Sequence, residues 1–398
     1  MAVKKTAPKK TARKSNPSSA IPTNLRTLFP ELRKSAYSLK DADRQKALLN
    51  DLRGAYQHKG LVVYVGAGVS RSMGLPSWPE LTRTLTVRMM TRRVQTAISS
   101  LEGLSDEQRW RFLETVSQEL DSQEIEEKPI LMVARSIKDQ MAGELPRAIA
   151  ALLYRRAALR YRRRLIAYRD KRSLSEPIPP TSSLVDALVA LARAERDARG
   201  VQAIINYNYD DLLEENLRYQ NVRCTTVLSG SQRVPDGSLP SYHVHGLISI
   251  RDFVDYQNSS RIKGPSRVKA ISAKGNFVFS EDEYHSEYSD PYKWSNMTQI
   301  SHLGRYIGLF VGLSMQDPNL RRLIDVTHKQ YPENYNFAIL PRPISLMSSK
   351  DSKQTVLRNM FEEVESNSFS KIGVQVLWVD SFDEIAKLIR SVIGETSP

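Results

Sequence analysis

Leu61-Val62-Val63-Tyr64-Val65-Gly66-Ala67-Gly68-Val69-Ser70, followed by Gly74-Leu75-Pro76, is the stretch whose reading decides the fold. A short apolar run rich in β-branched residues predicts a buried strand. It breaks into a Gly-Ala-Gly turn, where a backbone without Cβ can approach a ligand closely. A helical pattern follows, so the amide groups of the turn sit where a diphosphate could bind. The usual dinucleotide fingerprint adds a third glycine and an acidic, ribose-binding residue roughly 20 positions on. Residues 81–100 contain no Asp or Glu, which argues against an ordinary dehydrogenase. A tight structural turn explains a Gly-x-Gly equally well, and the rest of the chain must decide.

With 398 residues, 40% of them hydrophobic, the chain is long enough for one large α/β domain with an insertion, or for two domains. No apolar stretch approaches the ~18 residues needed to span a bilayer. The first residues carry lysines without an apolar run, unlike a secretory leader. The single cysteine, Cys224, excludes a disulfide framework and a cysteine-based structural zinc site, and a reducing cytoplasm fits best. The net charge of +14 is concentrated in two places. Residues 1–30 carry +7 and residues 154–172 carry +8, so the remainder is nearly neutral. An acidic partner would meet these two patches rather than the whole surface.

Residues 1–22 lack apolar periodicity and are expected to form a flexible basic arm. Residues 23–398 read as one domain, with a helical insertion at about 100–195. Helices are predicted at 43–58, 79–94, 184–199, 210–217, 318–328, 353–364 and 382–392. Strands are predicted at 201–206, 223–228, 243–250, 307–314, 336–340 and 374–379, besides the first one. This alternation predicts a doubly wound, Rossmann-like parallel sheet. Within the insertion, Tyr154, Ala158, Tyr161, Leu165 and Tyr168 recur at spacings of four and three, with arginines on the other faces. That helix reads either as a packed seam with a solvated basic side or as a surface for a partner subunit or nucleic acid. The arm is either a solubilising tail or a nonspecific phosphate-binding segment.

Four clusters stand at predicted strand ends, where open α/β sheets bind ligands. They are the Gly66–Ser70 turn, Asn206-Tyr207-Asn208-Tyr209-Asp210-Asp211, Tyr242-His243-Val244-His245-Gly246, and Gly312-Leu313-Ser314-Met315-Gln316-Asp317-Pro318-Asn319-Leu320. Asn and Asp in the second can serve simply as turn and N-cap residues. Strand alternation would put His243 and His245 on one side, as packed polar groups or half of a metal site. No nearby Cys, Asp or Glu stands at metal-ligand spacing, so no metal is expected.

Taken in this order, the clusters resemble the sirtuin superfamily, and more closely the bacterial sirtuin-like domains of antiphage defence. The resemblance runs over about residues 60–393. The family's Gly-Ala-Gly-x-Ser turn matches Gly66, Ala67, Gly68 and Ser70, and its Gly-(Ile/Leu)-Pro matches Gly74, Leu75 and Pro76. Trp78 stands where defence-type members often carry an aromatic. Asn-x-Asp matches Asn208 and Asp210, His-Gly matches His245 and Gly246, and the late Gly-x-Ser matches Gly312 and Ser314. The Asp317-Pro318-Asn319-Leu320 tail is typical of defence-type members.

The resemblance implies NAD as substrate, with His245 as catalytic base and Asn208 holding water and ribose. It also implies Asp210 on the nicotinamide carboxamide, Gly66, Ala67, Gly68 and Ser70 on the diphosphate, and Gly312 with Ser314 on the adenosine side. The two cysteine pairs of zinc-bearing deacylases are missing, and Ser77-Trp78-Pro79 replaces their Asp-Phe-Arg. The expected activity is therefore hydrolysis of NAD to ADP-ribose and nicotinamide, as the toxic effector of an abortive-infection system. The alternatives are a nucleotide-sensing or DNA-associated subunit, or a deacylase or ADP-ribosyltransferase. Expected partners are further copies of the chain, a HerA-type ring ATPase, and DNA through the arm and the arginine helix.

Overall fold

A computed structural model describes residues 37–99, 130–169, 179–193, 198–259, 270–342 and 352–395, with short helical pieces between 105 and 115. The basic arm at 1–22 lies outside these residues, as do the side chains of Ala158, Tyr161, Leu165 and Tyr168.

Seven strands form one sheet: β1 (Leu61–Val65), β2 (Val201–Asn206), β3 (Cys224–Val227), β4 (Leu239–His243), β5 (Ile307–Val311), β6 (Asn336–Pro341) and β7 (Val374–Val379). Their order is β3-β4-β2-β1-β5-β6-β7, and every pairing is parallel. This is the doubly wound α/β architecture that the alternation predicts. All five residues of β1 are buried. Leu61, Val63 and Val65 face one hydrophobic core, whereas Val62 and Tyr64 face another. A strand covered on both faces reads as an unbroken apolar run, as this one does.

The helices are α1 (Tyr37–Gly54), α2 (Ala67–Ser72), α3 (Trp78–Ser99), α4 (Ile130–Met141), α5 (Leu145–Arg169), α6 (Ser183–Ala192), α7 (Leu212–Tyr219), α8 (Ile250–Ser259), α9 (Glu281–Ser289), α10 (Trp294–Arg305), α11 (Pro318–Gln330), α12 (Ser352–Ser370) and α13 (Phe382–Val392). Helices α1, α6, α7 and α13 cover the first face, and α10, α11 and α12 contribute to the second. A third core joins α3, α4, α5 and α8 with Ile271 and Phe279 into a helical layer of its own. Helix α3 starts where its capping box dictates. The Ser77 amide donates to Glu80 Oε2 at 2.7 Å, and the Glu80 amide donates back to Ser77 Oγ. Helix α5 docks through Tyr154, which is buried and donates from its hydroxyl to the Ile248 carbonyl at 2.6 Å.

The strand predicted at 243–250 is a correction: β4 is Leu239–His243 and ends where that strand was expected to begin. Pro240 hides it from a propensity reading, because proline removes a ladder donor. Here the loss is harmless. The Leu239 amide donates to Arg223 beside β3, so the Pro240 nitrogen faces β2, whose pairing with β4 starts only at Ser241. Beyond His243 the chain turns at Gly246, with φ +82. A Cβ there would stand 2.9 Å from Phe277 Cα. His243 therefore closes the strand and His245 lies past its end, so the two do not alternate along one face.

Candidate functional site

The sheet order reverses between β1 and β5, whose carboxyl ends lie side by side with Val65 opposite Val311. Open α/β sheets bind their ligands at such a point. The loops leaving these strands touch backbone to backbone. The Gly66 amide donates to Val311 O at 3.1 Å and the Gly68 amide to Gly312 O at 2.9 Å. Gly312 has φ +68, and a Cβ on it would come within 2.7 Å of the Val69 nitrogen. The Gly68 amide is thus committed to the neighbouring loop, while Gly66 and Ala67 line a cavity of about 230 Å3 above the switch point. Gly312 lies behind that wall. Ser314 is exposed, with its Oγ accepting from the Gln316 amide at 3.4 Å, and is not among the lining residues.

The polar groups of the cavity are Ser70, Asn208, Asp210, His245, Tyr284 and Asp317. Its apolar wall comes mainly from Trp78 and Leu81 of α3, Leu131 of α4, Leu153 of α5, and Phe279. Trp78 packs edge-on against Phe279 and Tyr209, with ring centroids 5.0 and 5.9 Å apart. Four of the clusters read from the sequence thus meet at one place, and the helical layer roofs them.

Asn208 sits in the loop after β2, held from three sides. Its side-chain amide donates to Gly66 O at 3.0 Å, its backbone amide donates to Asn206 Oδ1 at 2.8 Å, and its carbonyl faces His243 Nδ1 at 3.2 Å. Asp210 accepts a short hydrogen bond from the Ser70 hydroxyl and another from the Leu212 amide at 3.2 Å. Burial raises its carboxyl above the usual aspartate range, against the pull of the Ser70 hydrogen bond. Its neighbour Asp211 points elsewhere: it accepts from the Ile250 amide and the Ser249 hydroxyl and so caps α8. Burial pushes Asp211 up to about 6.

His245 stands edge-on to Tyr207, with ring centroids 4.7 Å apart and planes at 72°. The Tyr207 hydroxyl donates to Gln299 Oε1 at 2.6 Å, which fixes the ring against which the imidazole rests. Burial lowers His245 below the ordinary histidine value, while the Asp317 and Glu287 carboxylates oppose that shift. A neutral imidazole in a mostly apolar pocket is a base ready to take a proton at neutral pH.

Asp317 and Tyr284 were not assigned a role from the sequence. Asp317 caps α11 by accepting from the Leu320 amide at 2.8 Å, and burial beside its carboxylate raises the Tyr284 hydroxyl above the usual phenol range. The Asp-Pro pair at a strand-to-helix junction marks the first as a cap facing the switch point. Nothing local marks Tyr284, which reaches the cavity only because α9 packs across it. His243 lies beneath the cavity and not in it, fully buried against Glu214. Cys224 is part-exposed on β3 and burial pushes its thiol up to about 12, far from a nucleophile's range. Among the described residues, no group of three or more His, Cys, Asp or Glu could hold a metal ion, and no helix is long and apolar enough to cross a membrane.

Residues 202–364 match the family model described as SIR2-like domain. The matched stretch contains Asn208, Asp210, His245, Gly312 and Ser314 and begins after the Gly66–Ser70 turn, which packs against it. The match supports a sirtuin-like, NAD-related reading of the sheet and its loops. No curated protein matches the chain.

Proposed function

We propose that the protein cleaves NAD to ADP-ribose and nicotinamide. The observation that carries this reading is the meeting of His245, Asn208 and Asp210 in one cavity at the β1/β5 switch point, beside Gly66 and Ala67. At about 230 Å3 the cavity is smaller than the roughly 300–1,000 Å3 of pockets for whole drug-sized ligands. It suits one end of a dinucleotide.

Cleavage breaks the bond between the ribose and the nicotinamide nitrogen through an oxocarbenium-like transition state. Nicotinamide leaves neutral, so its departure needs no acid. Water then adds to the sugar carbon, and His245 accepts the proton that water gives up. Asn208, which adds no charge, offers an amide to hold the water and ribose. Asp210 meets the nicotinamide carboxamide, and the Asp317 carboxylate lies in the cavity that would hold the developing cation. The apolar roof from Trp78, Leu131, Leu153 and Phe279 limits bulk water, and the field of these groups acts more strongly for it.

The resemblance to defence-type sirtuin-like domains extends the proposal to an effector that depletes cellular NAD, acting as an assembly of several copies and docked to a ring-shaped ATPase. Incubating the purified protein with NAD, alone and with its gene neighbour, and following nicotinamide and ADP-ribose by chromatography tests it. His245→Ala and Asn208→Ala should each lower turnover by about 10²–10⁴ without unfolding the chain. An active preparation in which both variants turn over like wild type would rule the site out.

A further inference from the structure

Beneath the cavity lies a polar cluster to which the chemistry above assigns no role. Glu214 of α7, Asn206 at the end of β2, and Ser241 and His243 of β4 are all buried. Three donors converge on Glu214 Oε1: the Asn206 amide at 2.9 Å, the Ser241 hydroxyl, and His243 Nε2 at 3.0 Å. Glu214 Oε2, also buried, accepts no hydrogen bond among the described residues. The other nitrogen of His243 faces the Asn208 carbonyl at 3.2 Å.

Both neighbours of this imidazole, a carboxylate and a backbone carbonyl, can only accept. With both acting as acceptors, the two ring nitrogens are set to donate, and the pair favours the imidazolium form of His243. Burial works against that charge, but Glu214 holds His243 above the ordinary histidine value. In return, and against its own burial, Glu214 is drawn down to about 2. An unpaired buried charge is expensive, so the two groups are kept together.

The geometry points to His243 and Glu214 as positioning residues for the NAD cleavage proposed above, on which this inference rests. The imidazolium grips the carbonyl of Asn208, and Glu214 grips Asn206, whose side-chain oxygen in turn holds the Asn208 amide. The Asn208 peptide is thereby clamped on both sides, and its side chain has one direction left, toward Gly66 and the cavity. A positioned group loses about 10²-fold in rate when displaced by an ångström. The clamp thus acts more on turnover than on the affinity for NAD.

The two nitrogens of His243 can be separated by substitution. Glutamine reaches as far as Nε2 and keeps a donor for Glu214, whereas asparagine ends near Nδ1 and keeps a donor for the Asn208 carbonyl. His243→Gln should fold, since Glu214 remains bonded, yet lose about 10²-fold in kcat with KM for NAD changed less than about twofold. His243→Asn should retain more of kcat than His243→Gln. A merely structural role predicts the opposite ranking, with Gln the better substitute, and that ranking overturns the proposal.

Two measurements need no turnover and separate this proposal from the NAD reading. Nitrogen NMR of the wild-type imidazoles should show both His243 nitrogens protonated at pH 7, above the ordinary histidine value. Carbon NMR of the Asn208 carbonyl should show its hydrogen bond lost in His243→Gln and kept in His243→Asn. A His243 that is neutral at pH 7, or an Asn208 carbonyl with the same shift in the two variants, removes the clamp. A wild-type protein that leaves NAD intact while both measurements come out as expected removes the NAD reading instead.

Discussion

The Gly68 amide donates to the Gly312 carbonyl at 2.9 Å, so the loop after β1 and the loop after β5 meet with no side chain between them. A Cβ on Gly68 would stand 2.7 Å from Gly312 Cα, and one on Gly312 would add a strained positive φ to a clash with the Val69 nitrogen. Gly312→Ala should therefore destabilise by at least the roughly 1–3 kcal/mol of a strained backbone residue. Gly74 is the control, with φ +87 and nothing within 4 Å of its would-be Cβ. Chemical denaturation of both variants checks this, and a Gly312→Ala no worse than Gly74→Ala would show that the loop contact is unimportant.

The acid limb of the pH–rate profile should report His245. A base is competent above its pKa, and burial lowers this one, so turnover should be lost only as the pH falls below the ordinary histidine range. The Asp317 carboxylate opposes that shift. Asp317→Asn keeps an acceptor for the Leu320 amide but removes the charge, so the acid limb should move to still lower pH. A limb that stays in place or moves up assigns the titration to another group.

Asp211 makes stability depend on pH. Its carboxyl rises to about 6 in the folded chain from an unfolded value near 3.8. The proton is bound more tightly when folded, so the stability it contributes is full below the unfolded value and is lost as the pH climbs through about 6. Asp211→Asn keeps the acceptor for Ile250 and removes the buried charge. It should gain stability relative to wild type at pH 8, by up to roughly 3 kcal/mol, and the gain should fade near pH 4. Melting temperatures at the two pH values decide it. A constant difference would show that Asp211 is not the titrating group.

Tyr154→Phe should cost about 1–3 kcal/mol, because the buried Ile248 carbonyl loses its donor. Denaturant midpoints measure this, and a variant as stable as wild type would mean that α5 is held by packing alone.

Arg155 and Arg156 are exposed on α5, next to Tyr154. If this helix meets a partner or nucleic acid, replacing both with Glu should change the mass of the assembly in light scattering or flatten the salt dependence of nonspecific DNA binding. Unchanged values in both assays would return the helix to a solvated face.

The bounds of β2 and β7, and the existence of β1, β5 and β6, were legible because a doubly covered strand must be apolar throughout, and β3 was legible from its β-branched residues. Asn208 and Asp210 were legible because they stand at a strand end, where polar residues interrupt such runs, whereas His245, expected within a strand, was singled out by the His-Gly resemblance. β4 was not, since Pro240 is acceptable there only through the staggered start of its neighbour, which no local pattern encodes. Leu131, Leu153, Phe279 and Tyr284 were equally hidden. Each looks like any core residue of its own helix or loop, and only the docking of the helical layer turns it toward the cavity. His243 shows the reverse case. The sequence leaves it as a packed polar group or half of a metal site, and its proximity to Glu214, 29 positions away along the chain, makes it half of a buried pair.

The cavity draws its reacting groups almost wholly from loops of the sheet and most of its apolar wall from a helical layer with a separate core. Chemistry and admission are thus entrusted to different parts of the molecule. Residues of the outer layer can drift, enlarging or narrowing what enters, without disturbing the frame that aims Asn208 and His245. Such a division marks the helical layer, not the glycine turn, as the place where substitutions can reshape the entrance.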